Sequence, residues 1–372
     1  MTNTHPEPSN LAVQPVEAAP DTAQPDAPTA DDVYTAPLAR YDHALYGIGK
    51  PWRGILAIVT FVASFLLLSL VLGALAIIID LLTGTIEPDS LNGGEITMTP
   101  MLMLFNNLSL AALIPLSFLL QRLFFGVRMG TLASVVGHFR WRWFGRLALI
   151  IVPVWIIYVG ISFLFEPTGE IRLDASIIAM VVIVLLTTPL QSAGEEFGAR
   201  GLIQRSAGSW FRHPLVAFIA GTVLSSALFA IAHFAADPWL IAYYFVFAIS
   251  ASLAARGTGG LEAPVLVHAI NNVLLLLPVA LSGQMSESFD RSDGAGGPVL
   301  LIPMALCLAA AGFSTWWGRR SGIAARAPRP QKIRRPGPVQ YAHAQYAPAQ
   351  YAFGQFPPPQ VPPIQHPPIP PQ

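Results

Sequence analysis

Eight apolar stretches, near 54–80, 101–125, 147–165, 175–194, 215–235, 239–255, 263–281 and 298–317, leave this chain few ways to fold. Each approaches the roughly 20 residues that a helix needs to cross the hydrocarbon core of a bilayer. In that core every backbone N–H and C=O must be paired internally, and a helix pairs them. Only 11% of the residues are charged and 53% are apolar, against about 25% charged in a soluble domain. The expected fold is therefore an all-α polytopic membrane protein, a bundle of eight transmembrane helices with disordered termini. The N-terminus is acidic and proline-rich and lacks the basic region and short apolar core of a signal peptide, so the first helix is expected to remain as an anchor.

The formal net charge of zero hides a strong segregation. If the N-terminus is cytoplasmic, 19 of the 21 Lys and Arg fall on inside segments, Arg200, Arg205 and Arg212 among them, and only Arg172 and Arg291 fall outside. The positive-inside rule then predicts that both termini are cytoplasmic. The use of 19 Arg against 2 Lys, with much alanine, suggests a bacterial cytoplasmic membrane. Residues 1–45, rich in Pro, Ala, Thr and Asp, read as a disordered cytoplasmic tail. Residues 46–318 read as the helix bundle, and 319–372 as a basic, then Pro/Gln/Tyr-rich disordered tail in which Gln340-Tyr341, Gln345-Tyr346 and Gln350-Tyr351 recur. Such a tract suits docking on a partner's aromatic-lined groove; alternatively it is inert and its basic root rests on anionic lipid. The lipid bilayer is a partner in either case, and no nucleic acid is expected. A single cysteine, Cys307, permits no intrachain disulfide.

Against this apolar background the polar groups stand out. An ionised side chain at the centre of a membrane helix costs about 2.5 to 3.5 kcal/mol, so such groups face a cavity, pair, or do chemistry. Glu195 and Glu196 end the fourth apolar run, and Glu196 and Arg200 are spaced to pair as i, i+4 neighbours. Adjacent helical residues point about 100° apart, so Glu195 is expected to face a different partner from Glu196. Pro189 would kink this helix toward a cavity. His233, four after Phe229, reads on its own as an interfacial residue bonded to a carbonyl. His268 and Asn272 share one face and offer an acid or base and an amide donor, or simple interhelical glue. Depth is a difficulty. Asp174 to Glu195 spans about 32 Å and Pro214 to His233 about 29 Å, which for straight helices sets these residues near opposite membrane faces.

Glu195-Glu196-x-x-x-Arg200, Phe229-x-x-x-His233 and His268-x-x-x-Asn272 follow one another on separate apolar helices. The run 175–281 thereby resembles the CAAX-protease and bacteriocin-processing family of intramembrane peptidases, which includes the type II CAAX prenyl endopeptidases and bacterial relatives. The resemblance implies that Glu195 is the general base for water, that His233, His268 and Asn272 complete the catalytic set, and that Glu196 and Arg200 support it. The substrate would be a membrane-associated peptide or protein. Two chemistries stay open: a metal-free, glutamate-based hydrolysis, which is favoured, or one zinc ion on Glu195, His233 and His268, a carboxylate and two imidazoles with an open position. Other classes compatible with the residues are a proton- or ion-coupled transporter and a non-catalytic scaffold acting through the Pro-rich tail.

Overall fold

The computed structural model describes residues 37–89, 97–165, 170–171 and 173–333; the greater part of both tails lies outside these. Among the described residues eight helices are long and apolar enough to cross a membrane. The first is α1 (Pro51–Leu82), and the second is broken into α2 (Pro100–Ala111) and α3 (Leu113–Phe125). The third is α4 (Trp141–Phe165). The fourth is a composite rod, in which α5 (Ala175–Glu196) runs through a π-helix (Phe197–Ile203) into α6 (Gln204–Gly208). Then follow α7 (Pro214–Ile231), α8 (Pro238–Thr258), α9 (Glu262–Ser282) and α10 (Leu301–Arg320). Several starts are written locally: Asp174, Asp237 and Thr99 accept hydrogen bonds from Ile177, Leu240 and Leu102 N–H, and Pro100, Pro214 and Pro238 occupy first-turn positions where a missing N–H costs nothing.

The composite rod resolves the depth difficulty. The fourth apolar run was read as ending at Glu195, but the helix continues to Gly208, so the two glutamates sit inside the bundle. Arg200 and Arg205, counted as basic residues of an inside segment, are fully buried and carry no orientation signal. The next helix starts level with the rod's far end and runs back along it. Gln204 Nε2 donates to Thr222 Oγ1 (3.1 Å), Ser225 Oγ donates to the Ala199 carbonyl (2.8 Å), and the Arg200 guanidinium lies 4.6 Å from the Phe229 ring. Each step up α7 therefore matches a step back along the rod, and His233 arrives about one turn from the glutamates.

Glycines let the rod lie this deep. A Cβ on Gly194 would stand 1.9 Å from the Leu110 carbonyl oxygen, and one on Gly198 would stand 2.2 Å from the Phe61 ring. This is the close approach that small residues four apart permit between membrane helices.

Residues read as tail from composition also enter the fold. β1 (Leu38–Arg40) pairs antiparallel with β2 (Arg326–Pro328). Beyond β1, Tyr41 is buried and its hydroxyl donates to the Leu132 carbonyl. Asp42 pairs with Arg256 at 2.5 Å. The buried Arg205 bonds the Tyr41 carbonyl (3.2 Å) and Gln121 (2.5 Å), locking the entering chain to the rod and α3.

Gly194→Ala is expected to push α5 off α2, at a cost of about 1–3 kcal/mol. The thermal midpoint of the purified protein should fall, whereas Gly73→Ala, with nothing within 4 Å of the added carbon, should leave it unchanged.

Candidate active site

Glu195, Glu196 and Arg200 come from the rod, Phe229 and His233 from the end of α7, and His268 and Asn272 from α9, which packs along α5. His268 stands between the two glutamates. Its Nδ1 is 2.8 Å from Glu196 Oε1 and its Nε2 is 3.3 Å from Glu195 Oε2. The expectation that adjacent glutamates must face different partners fails here for a simple reason. An imidazole has two nitrogens on opposite edges, so one ring can meet two carboxylates that diverge along a helix.

The two carboxylates are held differently. Glu196 is fully buried, and its Oε1 also accepts from Arg200 Nη1 at 3.0 Å, the expected i, i+4 pair. Arg200 is equally buried, with Nε and Nη2 making no hydrogen bond, so this pair is fixed inside the protein. The Glu195 side chain keeps 13% of its surface. Its Oε1 accepts from Gln191 Nε2 at 2.7 Å, while its Oε2 has only the His268 contact and no hydrogen bond. A carboxylate with one oxygen anchored and the other buried beside an imidazole without a hydrogen bond is suited to accept a proton.

His233 lies two residues past α7. One ring nitrogen, Nδ1, is 2.7 Å from the Phe229 carbonyl. A carbonyl only accepts, so Nδ1 carries the proton and Nε2 of the neutral ring is left with its lone pair. The ring stacks on Tyr244 at 3.9 Å and lies 4.6 Å from Phe229. Directly after it, Phe234 has φ +52°, the only left-handed non-glycine among the described residues. That conformation, which costs about 1–3 kcal/mol, turns the chain sharply off α7 beside His233.

Two neighbouring polar residues were not singled out from sequence. Gln191 is one turn before Glu195, and its Oε1 accepts from Ser192 Oγ (3.1 Å) and Asn272 Nδ2 (3.4 Å), so it links Asn272 to Glu195. Asn271, not Asn272, is the buried amide. It bonds the Tyr243 hydroxyl (3.0 Å) and accepts from Trp155 Nε1 (3.4 Å), fixing α9 to α8 and α4. The i−4 spacing of Gln191 to Glu195 was the available signal; Asn271 had none.

The groups considered for zinc, Glu195, His233 and His268, are not gathered around one point. Among the described residues no three His, Cys, Asp or Glu side chains are grouped to hold a metal, and both nitrogens of His268 face carboxylates.

Residues 174–274 match the family model described as Type II CAAX prenyl endopeptidase Rce1-like. The matched stretch runs from the N-cap of α5 into α9 and contains all three motifs, in agreement with the resemblance they carry. No curated protein and no solved structure matches the chain.

Removing the Gln191 anchor should free the Glu195 carboxylate to rotate. Gln191→Met is expected to lower kcat about 10- to 100-fold with little change in KM, in a protein that accumulates normally. Glu196→Gln should behave oppositely, because it leaves Arg200 buried without its counter-charge at a cost of about 3–5 kcal/mol. Its first effect should be reduced accumulation in the membrane.

Proposed function

We propose that this chain is an intramembrane endopeptidase of the CAAX type that cleaves a membrane-associated peptide or protein with Glu195 as general base. The observation that supports this reading most is the asymmetry of the glutamate pair. One carboxylate is spent on Arg200 and His268, and the other is anchored through a single oxygen beside the His268 imidazole.

Water is a poor nucleophile until a base takes its proton. Glu195 Oε2 accepts that proton as the water oxygen attacks the scissile carbonyl carbon. The negative charge on the carbonyl oxygen is then met by N–H donors, a role the reading gives to Asn272 Nδ2, which lies 3.4 Å from Gln191 Oε1. In this reading His233, whose Nδ1 is taken by the Phe229 carbonyl, uses Nε2 to hold water or the substrate amide. As the C–N bond breaks, protonated Glu195 returns its proton to the leaving nitrogen, and the balance closes without a further reactant. His268 stands between the two carboxylates and holds them apart. No step passes through a metal.

The same reading puts both termini on the cytoplasmic side. Reporter fusions in the loop after Gly208 should then read as cytoplasmic and fusions after Leu82 as external; the reverse would overturn that orientation.

Glu195→Gln keeps size and most hydrogen bonding but cannot take a proton, so turnover should fall at least about 100-fold in a protein that remains inserted and abundant. Peptide-level mass spectrometry of membranes from the Glu195→Gln strain and its parent would reveal substrates as uncleaved precursors. Chelators should leave the parent enzyme active. Full activity in Glu195→Gln would refute the proposal, and loss to a chelator with recovery on adding zinc would refute its metal-free form.

A further inference from the structure

The two ends of the described chain meet in the ribbon of β1 and β2, outside the site. Alternation turns Ala39 and Ala327 inward and leaves Leu38, Arg40, Arg326 and Pro328 on the outer face. The register sets Arg40 directly opposite Arg326 and Leu38 opposite Pro328. Like charges facing each other across a strand pair are destabilising, and a lone two-stranded ribbon has little to offset them. Two more arginines crowd the pair: Arg256 in the last turn of α8 and Arg319 in the last turn of α10. Burial, followed by the charges of Arg256 and Arg326, lowers the pKa of Arg40; Arg319 adds to this and Asp42 opposes it. Asp42 is already paired with Arg256 at 2.5 Å.

Four guanidiniums thus share one committed carboxylate, relieved only in part by the negative ends of two helices. They stand at the boundary where α8 and α10, two helices long and apolar enough to cross a membrane, end. Trp316 lies one turn inside that boundary, with the Arg320 guanidinium 4.8 Å from its ring, an aromatic and a cation of the kind found at the headgroup level. Beside the cationic pair, the outer face of the ribbon presents an apolar one, with Leu38 60% exposed.

We propose that the outer face of this ribbon binds an anionic phospholipid, its headgroup phosphate lying between Arg40 and Arg326 with Arg319 alongside, and its glycerol and upper acyl carbons against Leu38 and Pro328. The phosphate converts a repulsive cross-strand pair into a bridged one. The apolar pair favours a lipid over a free phosphate ion. Because β1 leads directly into Tyr41 and Asp42, the bound lipid also tightens the contacts of the entering chain with Arg205 and Arg256.

The test uses the full-length protein in nanodiscs of phosphatidylcholine, with or without phosphatidylglycerol, and a third arm of phosphatidylcholine discs with added inorganic phosphate. Thermal unfolding and lipid retention are read for the parent, Arg326→Gln and Arg142→Gln, the last an exposed arginine at the start of α4. In phosphatidylcholine alone Arg326→Gln should unfold at a higher temperature than the parent, because the repulsion is gone. Phosphatidylglycerol should raise the parent and the Arg142→Gln midpoints but raise Arg326→Gln much less, with phosphatidylglycerol retention weakened about fivefold. An equal gain in Arg326→Gln, an equal loss of gain in Arg142→Gln, or a lower midpoint for Arg326→Gln in phosphatidylcholine alone would overturn the proposal. So would inorganic phosphate reproducing the whole gain, which would mark a free-anion site.

Discussion

Two carboxylates buried side by side in a membrane bundle must be neutralised inside the protein, and much of this architecture follows from that requirement. Glu195 and Glu196 are matched by the Arg200 guanidinium and by an imidazole that meets both carboxylates. An isolated charge at this depth would be expelled toward water or would lose its charge. To bring the cation and the imidazole to the carboxylates, the rod must run on past the glutamates to carry Arg200, and α9 must press His268 against it. Both conditions need close helix approach, which Gly194 and Gly198 permit on the opposite side.

Neutralisation alone would give an inert cluster. What makes it chemically useful is that the matching is uneven. Glu196 shares one oxygen between Arg200 and His268, whereas Glu195 has one oxygen tied to Gln191 and the other buried without a hydrogen bond. In the proposed reaction the immobile pair sets the field around Glu195, and fixed charges in a water-poor site act more strongly than in bulk. The left-handed turn at Phe234 carries the chain off the helix directly after His233, whose ring is held by the Phe229 carbonyl.

The eight spans and the three polar motifs were legible because both are local: hydropathy over a window and spacing along one helix. What stayed hidden was the identity of partners across the bundle. Arg200 and Arg205 after an apolar run look the same in sequence whether they end a helix in water or lie fully buried against Glu196, Tyr41 and Gln121. Reading them as the former shortened the rod and created the apparent mismatch in depth. Leu38–Arg40 and Arg326–Pro328 were assigned to tails because neither has the length or pattern of a strand; each is ordered by pairing with the other across almost the whole chain. Gln191 was hidden by chemistry rather than distance: its spacing to Glu195 was visible, but a neutral glutamine carries no charge to mark that carboxylate as its partner.

The account turns on Glu195 activating a water molecule rather than attacking the peptide itself. Single-turnover cleavage of an identified substrate in oxygen-18 water, followed by mass spectrometry of product and enzyme, addresses that point directly. The label should appear in the newly formed carboxylate of the product and be absent from the Glu195 peptide. Label retained in the Glu195 carboxylate would show that it acts as a covalent nucleophile through an acyl intermediate, and would contradict the mechanism.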